Sequence, residues 1–347
     1  MTISNHSLSQ LGWQAFFQQQ LSLDEWEQAI PARIFNYERS EFVVLTETEL
    51  IHIPVQPNMP TLTVGDWILL DPDKRFQRRL DRLSLFSRKA AGSRVAEQLI
   101  AANVNTAFIV SSMNQDFNLN RIERYLALVK DADVEPVIVL TKMDCCESPQ
   151  HYIDSAQSLD ALLPVLGVNA LDRDNMVQLL PWCAIGQTVT FLGSSGVGKS
   201  SMINTLLGET VQLTRGIRED DDKGRHTTTR RSLLLMPDGG LLLDTPGMRE
   251  LQLADCEQGI EETFADIHEL ARQCRFNDCA HQGEPGCAVQ KAIAEGVLDE
   301  RRLASYLKLS REQAFNSATL AEKRARDRNL GRFYRSVLAS KQKRKDT

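Results

Sequence analysis

Residues 193–201 read Gly-Ser-Ser-Gly-Val-Gly-Lys-Ser-Ser, after an apolar run (Val189-Thr-Phe-Leu192) and before a helix-like one (Met202-Ile-Asn-Thr-Leu-Leu207). This is GxxxxGK[ST] in a strand–loop–helix setting, an arrangement that cradles phosphates. Gly193, Gly196 and Gly198 let backbone N–H groups turn inward past Ser194, Ser195 and Val197 with no Cβ in the way. The start of the following helix, at Lys199, Ser200 and Ser201, adds partial positive charge. Lys199 is expected to reach the β and γ phosphates of a nucleotide, and the Ser200 hydroxyl to bind Mg2+.

A second constellation chooses the base. The apolar run Pro136–Leu140 ends in Thr141-Lys142-Met143-Asp144. A carboxylate at a strand end can accept two hydrogen bonds from guanine, from N1–H and from the exocyclic amine. Adenine offers no such pair, so a buried Asp144 is expected to be left unpaired against it. The aliphatic stem of Lys142 can lie over the purine. The TKxD sequence resembles the NKxD signature of guanine-nucleotide GTPases, with Thr141 in place of Asn. Further on, Leu241-Leu-Leu-Asp244-Thr-Pro-Gly247 is a strand ending in DxxG. Asp244 is expected to hold Mg2+ through water, and the Gly247 N–H to meet the γ-phosphate. The polar stretch 214–229 closes on Gly224-Arg-His-Thr-Thr-Thr229, where either Thr228 or Thr229 is expected to complete the Mg2+ shell in the triphosphate state. Met248 follows the DxxG glycine, where many GTPases place a water-orienting Gln. A thioether cannot orient a water. Slow intrinsic turnover is therefore expected, with His226 the candidate for positioning the attacking water.

The order of these segments is informative. In ordinary GTPases the phosphate loop comes first; here TKxD and the loop after Val165–Val168 precede it, and both switch segments follow it. A circular permutation produces this order, and domains tolerate one because their termini usually lie close together. Whatever follows residue 250 is then attached directly to the second switch.

Cys274, Cys279, His281 and Cys287 have the spacing C-x4-C-x-H-x5-C. Three thiolates and an imidazole fill a tetrahedral shell, so a structural Zn2+ closed to substrate is expected. The other cysteines, 145, 146, 183 and 256, have no such spacing.

The elements that must position these groups fall into three regions. From 31 to about 90, Ala32–Tyr37, Phe42–Leu45, Leu50–Val55 and Asp66–Leu70 read as short strands of a small OB-like barrel. Lys74, Arg75, Arg78, Arg79, Arg82, Arg88, Lys89 and Arg94 would give it a phosphate-contacting rim. From about 100 to 255, apolar strands (Thr106–Val110, Pro136–Leu140, Val165–Val168, Val189–Leu192, Ser232–Met236, Gly240–Leu243) alternate with helical segments such as Asn120–Asp131 and Lys199–Leu207. That pattern implies a largely parallel sheet covered on both faces, with ligands at the carboxyl ends of the strands. Beyond 256 the chain is helical and charged around the Cys/His loop. The expected division is a segment 1–30, an OB-like barrel 31–95, a circularly permuted α/β GTPase domain 96–255, and a zinc-binding helical region 256–347.

Composition agrees with a multidomain globular chain. The 347 residues are 42% hydrophobic and 25% charged, with seven cysteines, too few for a disulfide scaffold of this length. No apolar run approaches the roughly 18–20 residues of a membrane span. The first 30 residues lack the basic start and apolar stretch of an export signal, so a cytoplasmic location is expected. The net charge of −6 is unevenly placed. Residues 301–347 carry 14 Lys+Arg against 4 Asp+Glu, a net +10, leaving 26 against 42, a net −16, for residues 1–300. A basic tail on an acidic body suggests contact with a polyanion.

Together, the OB-like barrel, GSSGVGKS, GRHTTT, DTPG in permuted order and the C-x4-C-x-H-x5-C loop resemble the RsgA (YjeQ) family of small-ribosomal-subunit-dependent GTPases. The resemblance covers roughly residues 30–340. It implies a GTPase, monomeric and Mg2+-dependent, that acts late in 30S subunit maturation, contacts 16S rRNA and is stimulated by the subunit. It also implies that the backbone N–H of Ala170 meets guanine O6, with Asn169 where a Ser usually precedes it. Members often carry a basic amino-terminal extension, whereas Met1–Gln20 contains no Lys or Arg. The alternative is a GTPase acting on another RNA or on a protein; subunit-stimulated turnover separates the two.

Overall fold

Two short helices open the described part of the chain, α1 (Ala15–Gln18) and α2 (Leu23–Gln28). A capping box starts α2, in which Ser22 and Glu25 satisfy each other's backbone N–H groups. The computed structural model describes residues 6–38, 40–89, 97–208, 232–244 and 256–317. Five antiparallel strands follow the helices: β1 (Ile30–Glu38), β2 (Glu41–Leu45), β3 (Leu50–Pro54), β4 (Trp67–Leu70) and β5 (Phe76–Arg79). β1 is central and pairs with both β2 and β4, while β3 adds to β2 and β5 to β4. This is the OB-like arrangement. Alternation along β4 sorts its side chains: Ile68 and Leu70 join Ala32, Ile34, Phe42 and Val44 in one core, Trp67 and Leu69 another. The second core is closed by the amino-terminal segment, through Leu11 and Phe17, and Trp13 meets Trp67 edge-on at 4.8 Å.

Strands β6 (Leu85–Lys89) and β7 (Glu97–Ala102) form a separate hairpin. The chain then builds the nucleotide sheet from β8 (Thr106–Ser112), β9 (Glu135–Thr141), β10 (Val165–Gly167), β11 (Thr188–Gly193), β12 (Ser232–Leu235) and β13 (Leu241–Asp244). Their order is β10-β9-β8-β11-β13-β12, parallel except for β12. Both faces are covered, as continuous apolar strands require. Phe108, Val110, Val137, Val139 and Val189 pack on one side against Met202, Leu206 and Leu207 of α6 (Lys199–Leu207). Ala107, Ile109, Ile138 and Leu140 pack on the other against Ile122, Leu126 and Val129 of α3 (Leu119–Asp131). Helices α4 (Pro149–Gln157) and α5 (Arg173–Met176) lie in the crossovers between them.

Two joints differ from a string of independent domains. β12 pairs antiparallel with β1 at Ser232↔Asn36, so the barrel strands and the nucleotide sheet form one continuous 11-stranded sheet. Arg33, 1% exposed, sits where several segments meet. Its guanidinium donates to the carbonyls of Leu11 (2.6 Å), Gly65 (3.3 Å) and Asn103 (2.9 Å) and to the Thr188 hydroxyl (2.9 Å). Burial draws its pKa down to about 9, which leaves it charged at neutral pH. A buried charge is tolerated there because every nitrogen of the guanidinium has an acceptor, four bonds for its five N–H groups.

The carboxyl-terminal region, α7 (Glu257–Thr263), α8 (Ala265–Ala271), α9 (Ala288–Ala294) and α10 (Glu300–Ser317), packs on α3. Gly259 makes this possible, since a Cβ at that position would run into the Ala127 carbonyl of α3. Glu123, fully buried in α3, pairs with Arg301 at 2.9 Å and Arg302 at 3.1 Å; Arg302 also holds Asp266 at 2.6 Å. Arg124 forks onto Glu312 with two bonds of 2.6 Å. That pair is about 30% exposed on both sides, so Arg124→Ala is expected to lower stability by about 1 kcal/mol, read from the midpoint of urea unfolding.

Candidate functional site

The registers of the parallel strands bring every expected nucleotide segment within the described residues to one edge of the sheet. Ser112 of β8 lies beside Thr141 of β9, Gly167 of β10 beside Leu140, and Gly193 of β11 beside Val110. Thr141–Asp144, Asn169–Ala170, the loop 193–198 and Asp244 thus leave neighbouring strands on the same side, where ligands of such sheets bind.

Within the phosphate loop, Gly193, Gly196 and Gly198 all have positive φ. At Gly193 a Cβ would strike the Val110 carbonyl, so only glycine lets β11 turn here. Lys199 is 8% exposed, and its Nζ donates to the Gly193 carbonyl at 2.7 Å and to the Ser194 carbonyl. The ammonium is folded onto the loop that the sequence expects to hold phosphates. Ser200, in the first turn of α6, is exposed, as is Ser195; Ser201 is half-buried and Val197 buried.

Thr141 tethers the base loop to the phosphate loop. Its hydroxyl, fully buried, lies 2.5 Å from the Val197 carbonyl and 3.3 Å from the Ser111 carbonyl. A threonine in place of the usual Asn therefore still joins the two loops. Lys142 has a φ of +62°, which turns the chain sharply out of β9 into a short 3-10 turn, Met143–Cys145. The Met143 N–H donates to the Val168 carbonyl at 3.3 Å, and Val168 in turn bonds Leu140 at 2.8 Å. Asp144 is exposed, contrary to the expectation that it is buried. Base selection at this carboxylate therefore depends on burial that a bound purine itself would bring. The Cys145 thiol donates to Asp144 at 3.3 Å, and this carboxylate pushes the thiol pKa above its ordinary value. In the adjoining loop Asn169 accepts from the Leu171 N–H at 3.0 Å, and the buried Ala170 offers its carbonyl to the Thr205 hydroxyl at 2.7 Å.

Asp244 is half-buried at the end of β13, opposite Ser232 of β12. His226, Thr228, Thr229, Gly247 and Met248 lie outside the described residues.

Sequence reasoning missed two neighbours of the loop. Arg121 and Tyr125 lie one turn apart on α3; Arg121 donates to the Ser194 hydroxyl at 2.7 Å, and Tyr125 lies half-buried beside it. The i, i+4 spacing of an Arg and a Tyr at the start of the helix after β8 is the only signal that could have found them.

The Cys/His cluster assembles. Cys274 Sγ lies 3.9 Å from Cys287 Sγ and 3.7 Å from His281 Nδ1; Cys287 Sγ lies 3.5 Å from the same nitrogen. With Cys279, all four ligand atoms fall within 4.8 Å of one another. Bonds of about 2.3 Å to sulfur and 2.0–2.1 Å to nitrogen give tetrahedral edges of roughly 3.5–3.8 Å, so the donor set fits Zn2+. Cys287 also caps α9, accepting from the Gln290 N–H at 3.4 Å, and Gln290 Nε2 holds the His281 carbonyl at 2.6 Å. Burial raises the Cys274 pKa, but the N–H groups of Ala288 and Val289 and the neighbouring thiols outweigh it and leave the thiol below its ordinary value.

The barrel rim is less basic than its composition suggests. Lys74 pairs with Glu49 (2.6 Å), Arg75 with Asp73 (3.4 Å), Arg78 with Glu25 (2.6 Å) and Arg82 with the buried Asp66 (2.6 Å). The Arg78 guanidinium holds the Glu25 carboxyl down at about 2. Arg94 and the Lys89 side chain lie outside the described residues, as does the basic tail from 318 onward.

A parallel P-loop sheet whose base-recognition loop precedes the phosphate loop in the chain is a circularly permuted GTPase fold. The solved structure of YloQ, titled a circularly permuted GTPase, shares it with a TM-score of 0.60 at 24% identity, covering 86% of this chain and 99% of that one. YjeQ from Thermotoga maritima matches with a TM-score of 0.61 at 25% identity, over 81% of this chain and 97% of that one. The family model for the RsgA GTPase matches residues 79–254. The small ribosomal subunit biogenesis GTPase RsgA 2 of Vibrio parahaemolyticus is 58% identical over 344 residues, which cover 99% of this chain and 96% of that protein. The small ribosomal subunit biogenesis GTPase RsgA of Mesorhizobium japonicum is 45% identical, over 96% and 97% of the two chains. The chain belongs to the RsgA GTPase family and is a GTP hydrolase. None of its described helices is long and apolar enough to cross a membrane.

Proposed function

We propose that this chain is a cytoplasmic, monomeric GTPase that docks on the small ribosomal subunit through rRNA, assists its late maturation, and hydrolyses GTP when the subunit stimulates it. The observation that carries this reading is the meeting of TKxD and GSSGVGKS at one sheet edge, bridged by Thr141 to Val197. The naming of relatives up to 58% identical over nearly the whole chain as small ribosomal subunit biogenesis GTPases supports the choice of the ribosomal subunit as partner.

In this reading the N–H groups of residues 193–198 and the Lys199 ammonium hold the β and γ phosphates. Lys199 exchanges the Gly193 and Ser194 carbonyls for phosphate oxygens. Such a swap replaces neutral acceptors with charged ones and strengthens the bonds. Ser200, Asp244 and one of Thr228 or Thr229 would hold Mg2+, which supplies charge neutralisation between the phosphates. Asp144 reads the guanine N1–H and amine, Lys142 covers the ring, and the Ala170 N–H meets O6. Gly247 senses the γ-phosphate, and His226 orients the attacking water. The Cys274–Cys279–His281–Cys287 site holds one structural Zn2+. After the amino-terminal segment 1–30, the barrel 31–95 and the zinc-binding region 256–347 grip the particle, while the GTPase domain 96–255 times release.

The test is phosphate release from GTP with and without purified 30S subunits, with ATP as the control nucleotide. Turnover is expected to be slow alone, to rise many-fold with subunits, and to be negligible with ATP. Stimulation by another RNA or protein, with indifference to subunits, would favour the second reading of a GTPase serving a different partner.

A further inference from the structure

Helix α3 starts at Leu119 with Asn118 as its cap, and its first turn faces the phosphate loop. Arg121 is exposed, and its Nη1 donates to the Ser194 hydroxyl at 2.7 Å. The carbonyl of that same serine accepts from the Lys199 ammonium. Two cations therefore converge on one residue of the loop. Like charges this close repel unless an anion lies between them. The other arginines that touch or belong to α3 have carboxylates: Arg124 has Glu312, and Arg301 and Arg302 have Glu123. Among the described residues Arg121 meets no carboxylate, and its partner is a neutral hydroxyl.

Tyr125, one turn further along, is half-buried beside the same serine. Burial raises its pKa, against the lowering effect of Arg121 and Arg124, so the phenol stays neutral beside the loop.

We propose that Arg121 is a phosphate-contacting residue whose guanidinium moves from the Ser194 hydroxyl to a γ-phosphate oxygen when GTP fills the loop. The proposal rests on the GTPase reading above. A charged phosphate oxygen is a far better acceptor for guanidinium than a hydroxyl. The exchange supplies a second cation where Met248 contributes nothing to the developing charge, the role that an arginine in cis plays in phosphoryl transfer. It also lets α3, bolted at Glu123 and Arg124 to the carboxyl-terminal helices, distinguish a triphosphate from a diphosphate.

The experiment compares the full-length chain with Arg121→Ala and Arg121→Lys, by titration with GDP and with the non-hydrolysable β,γ-imido analogue of GTP. Loss of one charge-assisted bond is expected to weaken the analogue about tenfold or more in the alanine variant. GDP affinity is expected to change less than twofold, and lysine to recover part of the loss. Single-turnover hydrolysis of GTP should fall in the same order. Equal losses for both nucleotides, or none for either, overturn the proposal while leaving the GTPase reading in place. An unsubstituted chain that binds neither nucleotide overturns both. Arg121 is exposed, so failure to fold is not expected; an unchanged thermal midpoint checks this.

Discussion

Exchanging Cys279 for Ala is expected to weaken zinc binding at the proposed site about a hundredfold and to loosen residues 274–296 while the nucleotide sheet stays folded. The stretch between α8 and α9 contains no helix or strand, and its large apolar side chain, Phe276, is 44% exposed. It has no core of its own. His281 must also hold a φ of +59°, which a free loop has no reason to adopt. Zinc bound at the four ligands would supply the free energy, since structural Zn2+ sites contribute roughly 10–16 kcal/mol. Divided over four ligands, loss of one weakens the site by about 3 kcal/mol, roughly two orders of magnitude in affinity. The sheet is expected to be spared because α7 and α10 reach α3 through Gly259, Glu123 and Arg124, none of which touches the metal loop.

Three measurements check this: zinc content by chelator–dye release, amide exchange across 288–294, and GDP affinity. A competing chelator is expected to remove zinc at roughly a hundredfold lower concentration than from the unsubstituted chain, protection at Val289 and Ala292 to fall sharply once it is gone, and GDP affinity to stay within twofold. Full protection of α9 in the zinc-free variant would show that its packing, with Val289 fully buried, suffices alone.

How much of this was legible in the sequence depended on whether the signal was local. The phosphate loop and the Cys/His loop are local: their glycines, lysine and thiols lie within a few residues, and chemistry allows few substitutes. The buried strands were legible for the same reason. Val137, Val139, Ile138 and Leu140 are all fully buried, so β9 reads as one continuous apolar run. Helix α6 was expected at 199–207 and spans Lys199–Leu207. Strand β5 was missed because Phe-Gln-Arg-Arg has one apolar residue and uses its arginines for pairs such as Arg78–Glu25. Arg33 could not be found: one arginine in a strand gives no hint that four acceptors from distant segments converge on it. The same holds for the β1–β12 joint, a single pairing between residues nearly two hundred positions apart. The exposure of Asp144 was misjudged because the left-handed turn at Lys142 carries the chain out of the sheet before the carboxylate, which the apolar run of β9 does not announce.

Asp144→Asn is expected to invert the base preference. An ionised carboxylate is an acceptor at both oxygens and so matches the two donors of guanine, N1–H and the exocyclic amine. An asparagine presents an oxygen and an NH2 group, and the NH2 then faces a donor. One good bond is lost and one donor–donor contact is created in a site closed by the bound purine, for a loss of roughly 3–4 kcal/mol, about a thousandfold in GTP affinity. Xanthine carries a carbonyl where guanine carries the amine, so the asparagine NH2 gains an acceptor and the Oδ1 keeps N1–H. Xanthosine triphosphate is therefore expected to bind the variant more tightly than GTP does, and to bind the unsubstituted chain poorly. The phosphate loop is unaffected by the exchange, because the tether between the two loops is the Thr141 hydroxyl on Val197, three residues before the substituted side chain. Competition titration of both nucleotides against both proteins checks this. A variant that still prefers GTP would place base recognition elsewhere than at the end of β9.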